Sequence, residues 1–575
     1  MKMISSSFYY QGRNMQKIIE HWKNHPNLDP KLRAEFDRLS ETELSDAFYT
    51  NLEFGTAGMR GLLGVGCNRL NVHTIRKANV AFGRYLSQYP DVSKKGVAIA
   101  YDNRHMSKEF AEESAKVLAS FNIPSYVFTA LRPTPELSYA VRELGCEGGI
   151  VITASHNPKE YNGYKVYDQR GCQLIPELID QVIAEINAIE DELEIKVNLS
   201  DEQKAMIHWI DKEIDEPYIQ RVLEIQNRKD MDKSNVKIVF TPQHGTALMS
   251  VEEVFKQAGY PYVLVEEQCS FDPNFSQTKS PNPEEKVAYE KAIELAKQVG
   301  ADAALSTDPD ADRVGVVVRH HDEYVLLTGN QTGSILIEYL LRTKKEMNAL
   351  PSNAVIFNTV VTSDLGEKVA KSYGVEVEKT LTGFKFIGEK IAKYEVTNEK
   401  SFVLGYEESY GYLVEPFVRD KDAIQACLIL AECISFYKHE GKTLVDVLNE
   451  LYAIYGYHHE DQVSLTLKGS EGSQKIKAIL DHFRTQAIPS FAGLKVVAKE
   501  DYLLKQRTVG TNITPLDFPP SDVIKYTLED GSWLAIRPSG TEPKCKFYFC
   551  VLGKDEAEAK AKFKAIHENL NTHLN

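Results

Sequence analysis

Cysteine is scarce and scattered. Cys67, Cys146, Cys172, Cys269, Cys427, Cys433, Cys545 and Cys550 are spread over 575 positions, no two at C-x-x-C spacing and none beside a suitable histidine. This excludes zinc-ribbon and dithiol redox motifs. Isolated thiols in so long a chain read as reduced core residues, so a cytoplasmic setting is expected. Positive charge is in deficit: 67 Lys and Arg against 82 Asp and Glu give a net charge of −15. That surplus argues against nucleic acid and against an anionic membrane surface as partners, and an anionic substrate would need a locally basic pocket. Long apolar runs are absent too. The stretch to residue 17 has none of signal-peptide length, and the most apolar helical segment, 423–437, is interrupted by Gln425 and Glu432. The nucleotide loop G-x-x-x-x-G-K-[ST] is missing.

What is present is ordinary folded protein, 43% hydrophobic and 26% charged, which excludes disordered and collagen-like chains. The length is that of about four domains. Residues 15–52 place Ile18, Ile19, Trp22, Leu32, Phe36 and Leu39 at helical spacing, an amphipathic lead-in. A strand–turn–helix–strand pattern then occurs three times: 97–101 with 126–128, 237–240 with 262–265, and 354–357 with 375–377. Each is the unit of a largely parallel sheet. The last part differs. Strands at 523–528 and 533–536 flank the hairpin turn Glu529-Asp530-Gly531, a strand follows at 546–551, and a charged helix at 555–570 closes the chain. The expected fold is α/β: three tandem α/β domains with largely parallel mixed sheets, then a C-terminal α+β domain. The expected ranges are 1–52 for a lead-in packed on the first domain, then 53–210, 211–328, 329–456 and 457–575. The acidic stretch 187–215 marks the first boundary.

Four clusters carry possible chemistry. Thr153-Ala154-Ser155-His156-Asn157-Pro158 follows the apolar strand 149–152, where α/β sheets bind ligands. Ser155 is a candidate nucleophile, with His156 adjacent and Lys165 close by in the chain. The G-x-S-x-G elbow is not met there, which disfavours acyl transfer. Alone, the segment reads as an Asn-Pro turn in which Ser155 merely hydrogen-bonds the backbone. Asp308-Pro309-Asp310-Ala311-Asp312-Arg313 sets three carboxylates at alternate positions, on one side of an extended loop, where they repel unless a cation sits among them. Hard oxygen ligands suit Mg²⁺ or Ca²⁺. The EF-hand pattern fails, because Arg313 and Arg319 stand where it needs Gly and Glu. The bland alternative is a solvated acidic turn. Thr382-Gly383-Phe384-Lys385 and Gly405-Tyr406-Glu407-Glu408-Ser409-Tyr410-Gly411 offer hydrogen-bonding groups, Glu407 and Ser409 above all, to sugar hydroxyls. Arg537-Pro538-Ser539-Gly540-Thr541-Glu542-Pro543-Lys544 combines Arg, hydroxyls and a tight backbone, as phosphate recognition requires. A Pro/Gly hairpin is its plain alternative. The glycine-rich 55–61 segment carries one more cation, Arg60.

Together, in this order, the clusters fit phosphoryl transfer on a phosphosugar. The chain resembles the α-D-phosphohexomutase family, whose four domains surround a central cleft. Residues 153–158 match its phosphoserine loop, Asp308, Asp310 and Asp312 its metal loop, Glu407-Glu408-Ser409 its sugar loop, and Arg537-Pro538-Ser539-Gly540-Thr541 its phosphate loop. Within the family, 54–61 and the lead-in look like the long bacterial phosphoglucomutases that are similar to eukaryotic phosphopentomutases. The resemblance implies an isomerase that interconverts glucose 1-phosphate and glucose 6-phosphate through a phosphoserine enzyme and bound glucose 1,6-bisphosphate. It implies Mg²⁺ on the three aspartates and a Ser155 phosphate oxygen, and Lys165 as general acid/base assisted by His156. Arg60, Arg313 and Lys385 would stabilise charge, Thr382, Gly383, Glu407 and Ser409 would meet the sugar, and Arg537, Ser539, Gly540 and Thr541 would hold its phosphate. Lys385 stands where some relatives carry His. Phosphopentomutase, sugar-bisphosphate synthase, an aspartyl-phosphate phosphatase using Asp308 and a non-catalytic sugar-phosphate sensor are the competing readings.

Overall fold

The computed structural model describes residues 7–55, 58–467, 469–539 and 544–574. They form two compact units. The first runs to Val317 and takes in Gly388–Lys393 and Tyr412–Ala431; the second holds the remainder.

The first unit begins with helices Ser7–Asn24, Pro30–Phe36 and Glu41–Phe48. Asp29 accepts the N–H groups of Lys31 and Leu32, with Pro30 fixing the first turn. Ser40 and Glu43 form a reciprocal cap on the third helix. Trp22, Phe36 and Phe48 bury themselves against Val65, Cys67 and Leu193. A seven-stranded sheet follows, in the spatial order Phe54–Gly55, Gly58–Leu62, Tyr161–Asp168, Gly148–Ile152, Val97–Tyr101, Ser125–Phe128, Ile207–Ile210. Its last four strands are parallel, and Tyr161–Asp168 returns antiparallel beside Gly148–Ile152. The outermost strand lies inside the acidic stretch expected to be a boundary. Three of its four residues are partly or fully exposed, and the strand is short, Ile207-His208-Trp209-Ile210, with Asp211 directly after it. In a second sheet Ile238–Thr241 lies parallel to both Tyr262–Leu264 and Ala303–Thr307.

In the second unit, Ala354–Thr359 lies parallel between Glu376–Thr380 and Ser401–Glu407. Helix Gly329–Glu346 packs closely here: a Cβ on Gly333 would stand 2.3 Å from the Tyr406 ring. The C-terminal sheet is antiparallel. Ile524–Leu528 and Trp533–Pro538 form the expected hairpin, Lys544–Gly553 pairs next, and Tyr457–Thr466 lies outside it. Gly531 supplies the positive φ of the turn, +88°. Helix Glu556–Thr572, capped by Asp555, covers the apolar core. No helix among the described residues is long and apolar enough to cross a membrane. All eight cysteines are free.

The central strands Val97–Tyr101, Gly148–Ile152, Ala303–Thr307 and Ala354–Thr359 are buried along their whole length. Strands covered on both faces lose alternation, which is why the sequence shows them as continuous apolar runs. Two of them end at polar loops, 153–158 and 308–313, and the neighbouring strand Ser401–Glu407 ends at 408–410.

The lead-in is fastened by a neutral histidine. His73 accepts the Asp29 N–H at Nε2, 3.2 Å away, and lies edge-on to Trp22. Burial, then the charge of Arg76, pushes its pKa down to about 4. The folded state therefore resists a proton that the unfolded chain accepts near pH 6.5. Stability should be intact above that pH and fall as pH drops toward 4, by about 2 kcal/mol at pH 5. Urea midpoints measured from pH 7 to 4.5 should show this decline, and His73→Gln should flatten it.

Candidate active site

Ser155 leaves the end of strand Gly148–Ile152 in the left-handed region, at φ +53°, where serine is uncommon. Its N–H donates to Thr153 Oγ1 at 2.8 Å. Its hydroxyl donates to Asp308 Oδ2 at 2.7 Å, and His156 Nδ1 stands 3.1 Å from the same oxygen. Burial, then the charges of Arg313 and Arg60, holds the His156 pKa well below the usual range, so the ring is neutral. Arg60, on strand Gly58–Leu62, donates to Asn157 Oδ1 at 2.9 Å. Burial lowers its own pKa, and Asp310 partly opposes this. Lys165 comes from the returning strand Tyr161–Asp168.

The aspartates do not occupy an extended loop. Asp308 N–H bonds to Arg313 O, Ala311 N–H bonds to Asp308 O, and Ala311 is left-handed at φ +55°. This is a tight turn, and the turn rather than strand alternation brings the three carboxylates together, with one oxygen of each within 4.8 Å of the others. All three are buried. Gly245 backs the turn: a Cβ there would stand 2.5 Å from Pro309 Cα.

Each carboxylate divides its work. Asp308 Oδ1 accepts the N–H groups of Asp312 and Arg313 at 3.1 and 3.0 Å. Asp310 Oδ2 accepts from Thr134 Oγ1 at 3.0 Å and Lys165 Nζ at 3.1 Å. Asp312 Oδ2 faces Lys421 Nζ at 3.1 Å and Lys165 Nζ at 3.7 Å. Asp310 Oδ1 and Asp312 Oδ1 are buried and accept no hydrogen bond. Burial, then repulsion from Asp310 and Asp312, pushes the Asp308 pKa well above the usual range. Asp312 is buried as well, but Lys421, Lys165 and Arg313 hold it below that range. Arg313 is itself paired with Glu284 at 2.5 Å. Buried carboxylate oxygens left without donors, in a turn whose Asp308 accepts a serine hydroxyl, fit a hard divalent cation such as Mg²⁺.

The second unit holds the remaining candidates. Gly383, at φ +117°, donates its N–H to Glu407 Oε1 at 2.8 Å. One oxygen of Glu407 is thus already spent on the Thr382–Lys385 turn. Lys385 is buried, its Nζ 5.2 Å from the Phe386 ring centre. Thr382 and Ser409 are half-buried. Glu408, given no role from sequence, accepts from Thr359 Oγ1 and Thr362 Oγ1 at 3.0 and 3.2 Å. Burial and then Glu407 raise its pKa, while Arg537 acts in the opposite direction. Arg537 lies in strand Trp533–Pro538, opposite Lys546, and Ser539 N–H bonds to Lys544 O at 2.7 Å. Gly540 and Thr541 fall outside the described residues.

Sequence reasoning missed three residues around the first cluster: Arg104, Thr134 and Lys421. Arg104 had a usable signal, since Asp102-Asn103-Arg104 follows an apolar strand just as Ser155 does. Lys421 lies in Arg419-Asp420-Lys421-Asp422, four alternating charges directly before an apolar helix. Thr134 had no local signal.

Four family models match the chain: "Phosphoglucomutase/phosphomannomutase, alpha/beta/alpha domain I" over residues 51–193, domain II over 216–321, domain III over 328–455, and the C-terminal domain over 473–566. A phosphoglucomutase of Staphylococcus aureus (strain MRSA252) is 38% identical over 551 residues, 95% of this chain and 98% of that one. Among solved structures, pp63/parafusin, a phosphoglucomutase from Paramecium, superposes with a TM-score of 0.65 at 18% identity, covering 92% of this chain and 94% of that one. A phosphoglucomutase/phosphomannomutase family protein from Burkholderia thailandensis gives 0.64 at 19% identity, covering 90% and 97%. N-acetylphosphoglucosamine mutase of Aspergillus fumigatus, solved in complex with GlcNAc-6P and magnesium, gives 0.50 at 13% identity, covering 92% and 96%. With all four domain models matched in order and a relative aligned over nearly its full length, the chain belongs to the phosphoglucomutase/phosphomannomutase family of isomerases.

Proposed function

We propose that the chain interconverts glucose 1-phosphate and glucose 6-phosphate, with Ser155 as the phosphoryl carrier and glucose 1,6-bisphosphate as the bound intermediate. The observation that carries this reading is the Ser155 hydroxyl, 2.7 Å from Asp308 Oδ2 and beside three buried carboxylates. In the first half-reaction the P–O bond to Ser155 Oγ breaks and a P–O bond forms to the free sugar hydroxyl, whose proton passes to a base. Lys165, held by Asp310 and Asp312, is the proposed acid/base, and the neutral His156 assists at Ser155 Oγ. The bisphosphate then turns, and its other phosphoryl group returns to Ser155. Asp308, Asp310 and Asp312 would hold Mg²⁺, which neutralises charge on the transferring group.

The other residues bind and orient. Arg60 and Arg313 are buried or half-buried cations suited to developing negative charge, and Lys385 is given the same role. Thr382, Gly383, Glu407 and Ser409 are assigned to the sugar hydroxyls. Arg537, Ser539, Gly540 and Thr541 are assigned to the phosphate that is not in transfer, fixing one end of the substrate so that the other meets Ser155. The A. fumigatus mutase of the same fold, solved with a sugar phosphate and magnesium, supports this choice of ligands.

Phosphopeptide mapping after incubation with glucose 1,6-bisphosphate should place the phosphate on Ser155, and Ser155→Ala should lose mutase turnover by several orders of magnitude. A Ser155→Ala protein with near-normal turnover contradicts the mechanism.

Sugar choice is a separate question. A pentose has a shorter span between its phosphate and the receiving hydroxyl, and it would leave a hydrogen-bonding group of the site unpaired, which weakens transition-state binding. The kcat/KM for glucose 1-phosphate should therefore exceed that for ribose 1-phosphate, measured with matched bisphosphate activators at saturating Mg²⁺. An equal or higher ribose value overturns the sugar assignment and leaves the phosphoserine chemistry standing.

A further inference from the structure

Arg104 takes no part in the reaction set out above, yet its side chain is fully buried beside the serine loop. It sits in the turn after strand Val97–Tyr101 and is anchored from behind. Asp102 Oδ1 accepts the Arg104 N–H at 2.9 Å and the Ser107 hydroxyl at 2.7 Å, while Asp102 Oδ2 faces Arg104 Nε at 3.3 Å. The Phe275 ring centre lies 5.1 Å from the guanidinium carbon. From this base the guanidinium reaches four main-chain carbonyls of the next loop. Nη1 donates to Pro158 O at 2.8 Å and Tyr161 O at 3.0 Å, and Nη2 donates to Ser155 O at 2.6 Å and Asn157 O at 2.5 Å. Asn162 Nδ2 ties the same two loops together through His105 O and Ser107 Oγ, each at 2.9 Å.

The direction of these bonds matters. In a trans peptide the C=O and the following N–H lie in one plane and point in opposite directions across the C–N bond. With the Ser155 carbonyl drawn to Arg104, the His156 N–H must point away from it, and the Lys159 N–H likewise follows from the Pro158 carbonyl. The four carbonyl oxygens, whose partial negative charge would repel a phosphoryl group, are all gathered on the guanidinium side. Left-handed backbone costs a non-glycine residue about 1–2 kcal/mol, so the conformation of Ser155 must be imposed by its surroundings. Thr153 on its N–H and Arg104 on its carbonyl impose it.

We propose that Arg104 is a positioning residue for phosphoryl transfer, clamping the carbonyls of the Ser155 loop so that Ser155 and the outward-facing His156 N–H are held ready for a phosphoryl group. This rests on Ser155 being the carrier. The planar fork is essential to the role, because a lysine ammonium is a single point with a strong hydration shell and cannot hold four separated carbonyls.

The test uses the full chain as wild type, Arg104→Lys and Arg104→Ala, with melting temperatures recorded first. Loading of Ser155 from glucose 1,6-bisphosphate is followed by intact mass in single turnovers, alongside steady-state mutase kinetics. Arg104→Lys should fold and lose about 100-fold in the loading rate and in kcat, with the KM for glucose 1-phosphate changed by no more than about threefold. Millimolar guanidinium should restore Arg104→Ala by about tenfold or more and leave wild type unaffected. A folded Arg104→Lys protein that loads Ser155 at the wild-type rate, or whose whole loss lies in KM, overturns the assignment. If wild type itself never carries phosphate on Ser155, the carrier reading fails, and the clamp fails with it.

Discussion

Three like charges buried in one turn set the terms for everything around them. With one oxygen of each within 4.8 Å of the others and an effective dielectric constant of 20, each pair of ionised carboxylates repels by about 3–4 kcal/mol, a repulsion that adds to burial in raising the Asp308 pKa. Three such pairs approach the whole stability of an ordinary domain, about 5–15 kcal/mol. A turn of this kind persists only if the surroundings supply positive charge and hold the backbone against the repulsion. Lys165, Lys421 and Arg313 supply part of the charge. Gly245 at the back of the turn and the left-handed Ala311 hold the shape. Asp310 Oδ1 and Asp312 Oδ1 are left without a hydrogen bond, with Arg313 Nε 3.7 Å from the second.

The fold places the supporting groups at distant points in the chain. Thr134 begins a helix, Lys165 comes from an antiparallel strand, Lys421 from the Tyr412–Ala431 segment, and Arg104 from the neighbouring strand end. Thr134, Lys421 and Arg104 come from loops or helix starts, and Lys165 from within a strand, opposite Val151. The rule that binding loops follow parallel strand ends accounts for both the serine loop and the aspartate turn, and for Arg104, which also follows a parallel strand.

Much of this was legible in the residues. The buried parallel strands announced themselves as unbroken apolar runs, and the C-terminal hairpin by its Glu-Asp-Gly turn. Ser155 and the three aspartates were found because each cluster directly follows such a run. Strand Ile207–Ile210 was hidden, since its Ile-His-Trp-Ile run is only four residues long and sits among acidic residues. The shape of the aspartate turn was hidden too: alternation suggests an extended chain, and only the fold shows Ala311 in the left-handed region. Thr134 and Lys421 act through tertiary contacts at sequence separations of more than 100 residues, beyond the reach of any local pattern. Glu408 lay within a recognised motif, but its role as a half-buried acceptor for Thr359 and Thr362 depends on a segment about 50 residues upstream.

The central claim is that this turn is built for a divalent cation, and thermal unfolding against Mg²⁺ concentration tests it most directly. In chelator, Asp310→Asn should melt higher than wild type, because one repelling charge is gone. Mg²⁺ should raise the wild-type melting temperature in a saturable way and shift the variant far less. A wild-type melting temperature indifferent to Mg²⁺, with Asp310→Asn less stable than wild type in chelator, would contradict the claim and leave the three carboxylates as a structural network held by their lysines alone.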